Sequence, residues 1–110
     1  MNLELKNQKC QACSGNTPKF DEKNISEYLS KLDNWSVNDE QSMIYKKFNF
    51  KTFKEALNFT NKVGELADTE GHHPDISLGW GYSLVMIHTH AIKGLSINDF
   101  ILAAKIDIII

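Results

Sequence analysis

Hydrophobic positions along the chain switch between two periods, and the switches divide it into elements. Ile25, Tyr28, Leu29 and Leu32 recur at the i, i+3, i+4, i+7 spacing of one helix face. Asn24-Ile25-Ser26-Glu27 has the form of a capping box ahead of that stripe, and Asp33-Asn34 closes it, which predicts a first helix. Trp35-Ser36-Val37-Asn38 alternates apolar and polar, Asp39-Glu40-Gln41 is a polar turn, and Met43 to Phe50 is rich in strand formers, with Ile44, Phe48 and Phe50 on one parity. Thr52-Phe53-Lys54-Glu55 is a second capping box, after which Phe53, Ala56, Leu57, Thr60, Val63, Leu66 and Ala67 keep a helical period up to Gly71.

Two further extended runs follow, hinged at Gly79-Trp80-Gly81, where glycine admits the positive backbone angles of a tight turn. A hairpin centred on Gly81 sets the His72-His73 step opposite Thr89 and His90. Ser96 then caps a third helix, with Asp99 in its first turn and Leu95 and Phe100 placed as a hydrophobic staple. Its apolar residues cover more than one face and the chain ends in Ile108-Ile109-Ile110, which suits either a subunit interface or a fully packed core helix. The order αββαββα with short links predicts an α+β fold: a four-stranded, mainly antiparallel sheet with three helices packed on one face.

At 110 residues with 42% hydrophobic content, one domain is expected, spanning 23–110 behind a loosely ordered, polar N-terminal arm at 1–22. A net charge of −2 and scattered basic residues argue against nucleic acid as a ligand. No apolar run approaches the roughly 18 residues of a membrane span and the start lacks a signal-peptide core, so a cytoplasmic protein is expected. Cys10 and Cys13 form a lone C-x-x-C without the second ligand pair of a zinc ribbon; two reduced thiols are the plainer reading, metal binding with borrowed histidines the sharper one.

His72, His73 and His90 are the candidate chemistry. Imidazole titrates near pH ~6.5, so a cluster can hold an acid and a base together. A helix C-terminus capped by imidazoles would explain His72 and His73 but not the return of His90 opposite them. Asp68, one helical turn before His72, can orient that ring or be a solvated surface group. Asp99 either contacts the pocket or stabilises a helix N-terminus. His88 shares the parity of His90 and reads as a satisfied strand histidine. A zinc hydrolase built from the histidines and the C-x-x-C is a competing reading.

An acidic residue, three residues, His-His-Pro, a hairpin with an aromatic residue, a later His and an Asp beyond it form one ordered set. Here these are Asp68, His72-His73-Pro74, Trp80, His90 and Asp99, framed by Thr89-His90 and Ile92-Lys93-Gly94-Leu95-Ser96. The chain in this respect resembles the pterin-4a-carbinolamine dehydratases, and the Cys10-x-x-Cys13, Trp35 and Phe48-Asn49-Phe50-Lys51-Thr52-Phe53 features look like its bacterial branch. The resemblance implies dehydration of 4a-hydroxytetrahydropterin to quinonoid dihydropterin, in tetrahydropterin recycling for aromatic amino-acid hydroxylation, with no metal and no organic cofactor. It implies that His72, His73 and His90 line the pterin pocket as acid-base groups, and that Asp68, Trp80, Thr89 and Asp99 serve substrate binding, Trp80 by covering the pterin ring unless it simply packs at the hairpin tip. It also implies a homodimer or homotetramer. The alternative function is a regulatory or assembly partner of a phenylalanine hydroxylase acting through the third helix.

Overall fold

The computed structural model describes residues 4–11 and 15–109; Cys13 and Ile110 lie outside them. The first helix, α1 (Glu22–Leu29), is capped three residues before the Asn24 expected to open its capping box. Asp21 is the cap: its Oδ1 accepts from Asn24 N at 2.8 Å, and Asn24 Oδ1 accepts from Asp21 N at 3.3 Å. Asn24 thus closes the box from its third position. The helix ends at Leu29, short of Asp33-Asn34, and the chain turns through Asn34 at φ 64°.

Strands β1 (Ser36–Val37), β2 (Ile44–Asn49), β3 (Asp75–Gly79) and β4 (Tyr82–Ile87) form one antiparallel sheet in the order β1-β2-β4-β3. Its inner face carries Ile44 and Phe48 from β2 and Val85 and Ile87 from β4, all buried. Against that face lie the long helix α2 (Phe53–Glu70) and the third helix α3 (Ile97–Asp107). Thr52 Oγ1 caps α2 by accepting from Glu55 N, while the Glu55 carboxylate accepts from Lys51 N.

The buried stripe of α2 is Ala56, Phe59, Val63 and Ala67. Phe59, absent from the expected stripe, takes the central place because its ring packs 4.5 Å from Phe48 and 5.2 Å from Phe50, centroid to centroid. Phe53 and Leu57 sit to the solvent side. In α3 Phe100, Ile101, Leu102, Ala103 and Ile106 are all buried, as in a packed core helix, and Leu5, in a short 3-10 turn (Leu5–Asn7), joins the same cluster. Leu95 and Phe100 are both fully buried, as a staple requires. At the far end of α3, Asp107 accepts from Trp35 Nε1 at 3.1 Å and from Lys46 Nζ at 2.9 Å, so the cation offsets a carboxylate at the negative end of the dipole. No helix among the described residues is long and apolar enough to cross a membrane.

The second hairpin differs from expectation by one position. Gly79 pairs with Tyr82 and Asp75 with Met86, so the loop is the two residues Trp80-Gly81, with Gly81 at φ 77° taking the corner an L-residue resists. Continued past the strand ends, this register sets His72 opposite Thr89 and His73 opposite His88.

Candidate active site

The site begins where α2 stops. Gly71, at φ 66° in the left-handed region, ends the helix and sends its N–H back to Ala67 O. His72 N also reaches Ala67 O, at 3.3 Å. This reversal splits the two neighbouring histidines. His72 turns inward and is buried, with Nε2 2.6 Å from Asp99 Oδ1. His73 stays in solvent, with Nε2 2.9 Å from Asp68 Oδ1. The expected pairing of Asp68 with His72 is therefore corrected: once the helix is broken at Gly71, the ring that folds back over the last turn is that of His73.

Behind His72 lies a closed polar network. Asp99 Oδ2 accepts from Thr89 Oγ1 at 2.8 Å and from Ser96 N at 2.9 Å, and the Thr89 and Ser96 hydroxyls are 2.9 Å apart. Thr89, Ser96 and Asp99 are all fully buried. Asp99 thereby does both things open to it, holding the N-terminus of α3 and seating an imidazole. The Thr89 hydroxyl and the Ser96 N–H both donate to Oδ2, and the His72 ring meets Oδ1.

His90 is exposed, in a 3-10 turn (His90–Ile92) just beyond β4, and its ring centroid lies 4.1 Å from that of His88. His88 Nε2 is 3.3 Å from Asp75 Oδ2. A cleft of about 310 Å³, lined in part by Asn38, Met43, His88, His90 and Lys93, opens here. The site end of the sheet thus gathers the β1–β2 turn, the end of β4 and the start of β3. Trp80 is not brought to it. It stands at the opposite end of the hairpin, 74% exposed, with the six residues of β4 between, about 20 Å at strand rise. A larger cleft, about 830 Å³, lies elsewhere, against Leu5, Tyr28 and Ile97, and no histidine lines it.

One more polar junction supports α2 behind the site. Glu70 accepts from Lys105 Nζ at 2.7 Å and from Cys10 N at 3.0 Å. Burial alone would raise the Glu70 pKa, but these hydrogen bonds and the Lys105 charge hold it below the usual 4.5. The Cys10 thiol is pushed up from 9.0 to about 12, by burial first and then by the Glu70 charge. Its Sγ is 3.5 Å from Asn98 O.

Residues 18–109 match the profile of the family described as pterin 4 alpha carbinolamine dehydratase. The chain belongs to that family. Among relatives of this chain, one from Halorhodospira halophila is 45% identical over 105 residues, 96% of each chain. One from Rickettsia bellii is 46% identical over 106 residues, 96% of this chain and 93% of the other. Both carry the provisional name pterin-4-alpha-carbinolamine dehydratase. A solved Brucella melitensis structure titled transcriptional coactivator/pterin dehydratase superposes with TM-score 0.77 at 28% identity, over 82% of this chain and 96% of that one. A pterin dehydratase-like RuBisCO assembly factor of the alpha-carboxysome shares the dehydratase fold at TM-score 0.59 and 21% identity, over 68% and 87% of the two chains.

Within this family member, sequence reasoning passed over Asp75 and gave His88 no role beyond the strand. The signal for both was the hairpin register: two positions past the Asp75–Met86 pair on the same face lies His88.

Proposed function

We propose that the chain catalyses loss of water from 4a-hydroxytetrahydropterin, giving quinonoid dihydropterin, with His72, His73 and His90 as its acid-base groups. Departure of the C4a hydroxyl needs a proton at the leaving oxygen, and loss of the N5 hydrogen needs an acceptor on the same ring system. Groups of this kind contribute about 10² to 10⁴ in rate. His73 and His90, both open to solvent, take the two proton transfers. His72, whose ring is fixed by Asp99, binds the pterin or serves as the alternative acid. Asp99 and Thr89 act by positioning His72, and Asp68 by positioning His73. Trp80 lies outside the pocket of its own chain.

The observation that carries this reading is the buried His72–Asp99 contact beside the solvent-facing His73–Asp68 pair, which gives adjacent imidazoles opposite environments. Such a division suits one ring that positions and one that exchanges protons with water. We place the activity in tetrahydropterin recycling for aromatic amino-acid hydroxylation, in a cytoplasmic homo-oligomer that needs no metal or organic cofactor for the step. The test follows 4a-hydroxytetrahydropterin breakdown by ultraviolet absorbance against the uncatalysed reaction. Acceleration by the wild type, largely lost in a folded His73→Ala variant, is the expected result; no acceleration by the wild type would sink the reading.

The coactivator half of the Brucella protein's title favours a second reading, in which the chain also serves as a binding partner, of a phenylalanine hydroxylase for example. Most apolar residues of the third helix are spent inside the core, which leaves Ile97 at the larger cleft and the exposed Ile108 to meet a partner. A wild type that binds a hydroxylase without accelerating dehydration would support this reading over the enzyme.

A further inference from the structure

Asp75, His88 and His90 each offer one ligand atom, and these atoms all lie within 4.8 Å of one another. Their convergence follows from the sheet. His88 and His90 are two residues apart beyond β4, and Asp75 opens the neighbouring edge strand β3. Zinc bonds of about 2.0–2.2 Å to imidazole nitrogen and carboxylate oxygen set neighbouring donors roughly 3.3 Å apart in a tetrahedral shell. The His88 Nε2 to Asp75 Oδ2 distance is already 3.3 Å. His90 is exposed and in a short turn, with its ligand atom no more than 4.8 Å from either of the other two.

We propose that Asp75, His88 and His90 form a binding site for a divalent transition-metal ion of the zinc class, and that the ion inhibits the chain by occupying His90. Two imidazoles among three donors disfavour calcium and magnesium, which take oxygen shells. Two neutral nitrogens and one carboxylate suit zinc, with water completing the shell. The site opens to solvent on the Asp75 side, where the carboxylate side chain is 63% exposed, so an ion can enter without unfolding the sheet. The ion-binding half stands on these three residues alone. The inhibitory half rests on the dehydratase reading, because His90 cannot bind a metal and pass a proton to the pterin through the same nitrogen.

The experiment titrates the metal-stripped full chain with zinc chloride by calorimetry, beside His88→Gln and Asp75→Asn. Loss of groups that merely orient a ligand costs 10- to 100-fold in metal affinity, so removing a ligand is expected to weaken zinc by roughly 100-fold or more. Cobalt in place of zinc is expected to give the visible bands of nitrogen and oxygen ligation without a thiolate charge-transfer band. Equal zinc affinity in wild type and His88→Gln, or a thiolate band marking the C-x-x-C instead, overturns the site. In the dehydration assay Asp75→Asn, outside the cleft lining, is expected to keep the metal-free rate and lose sensitivity to zinc; tight zinc binding that leaves the wild-type rate untouched overturns the inhibition. A wild type with no dehydration at all removes the dehydratase reading and inhibition together, while the titration still decides the site.

Discussion

His72 and Asp99, 27 positions apart, meet at 2.6 Å in the interior, and the same carboxylate takes the backbone N–H that starts α3. The group that organises the candidate site is thus also a helix cap. Moving the imidazole therefore means disturbing the core helix, and the ring is held as firmly as the fold itself.

Asp99→Asn separates those duties. An amide keeps one acceptor for the Thr89 hydroxyl and the Ser96 N–H and turns a donor edge toward the His72 ring, so the network has to rearrange in a dry setting. Urea unfolding is expected to show a loss of about 1–3 kcal/mol. Dehydration is expected to fall by about 10² in kcat with a smaller change in KM, since the ring is misplaced while the pocket persists.

Asp68→Asn has the opposite signature. Both members of the His73–Asp68 pair are largely exposed, so stability is expected to change by less than about 0.5 kcal/mol. Activity is expected to fall by about tenfold through loss of ring orientation. Parallel unfolding curves with separated rate constants are the check.

Glu70 makes stability depend on pH. Its folded pKa lies below the ordinary 4.5, so its contribution is fully present above that value and is lost as pH falls through the folded one. Glu70→Gln is expected to cost about 1–3 kcal/mol at neutral pH. The gap from wild type is expected to narrow on unfolding at about pH 3. A gap that stays constant would show that the carboxylate contributes nothing through its charge.

Cys10 is expected to be inert. The distance from 9.0 to about 12 makes its thiolate about a thousandfold scarcer than that of an ordinary cysteine near pH 8. Iodoacetamide labelling followed by peptide mass spectrometry should show Cys10 modified quickly in urea and scarcely at all in the native chain.

The elements themselves were legible because burial leaves a period: 3.6 in α2, two in β2 and β4. His72, His73, His90 and Asp99 were legible as residue types in an ordered pattern. Less visible was anything fixed by a single backbone decision. The break at Gly71 gave Asp68 to His73 instead of His72, and the two-residue turn at Trp80-Gly81 moved the facing partners by one position. Trp80 looked close to the histidines along the chain and is a strand length away in space. The capping boxes misled at α1 because Asn24 can serve either as a cap or as the residue that answers one.

The two-residue turn reaches further than the shape of the hairpin tip. His72 and His73 are the same amino acid, and what tells them apart is the reversal at Gly71, which turns one ring inward and leaves the other in solvent. One residue added between Gly79 and Tyr82 would push β3 to slip by a single place, because β4 is already pinned to β2. Every side chain of the strand would then trade sides. Such an insertion would touch no histidine and alter no charge, yet it would take Asp75 off the face it shares with His88. The number of residues in a remote loop in this sense sets which side chains meet at the far end of the sheet.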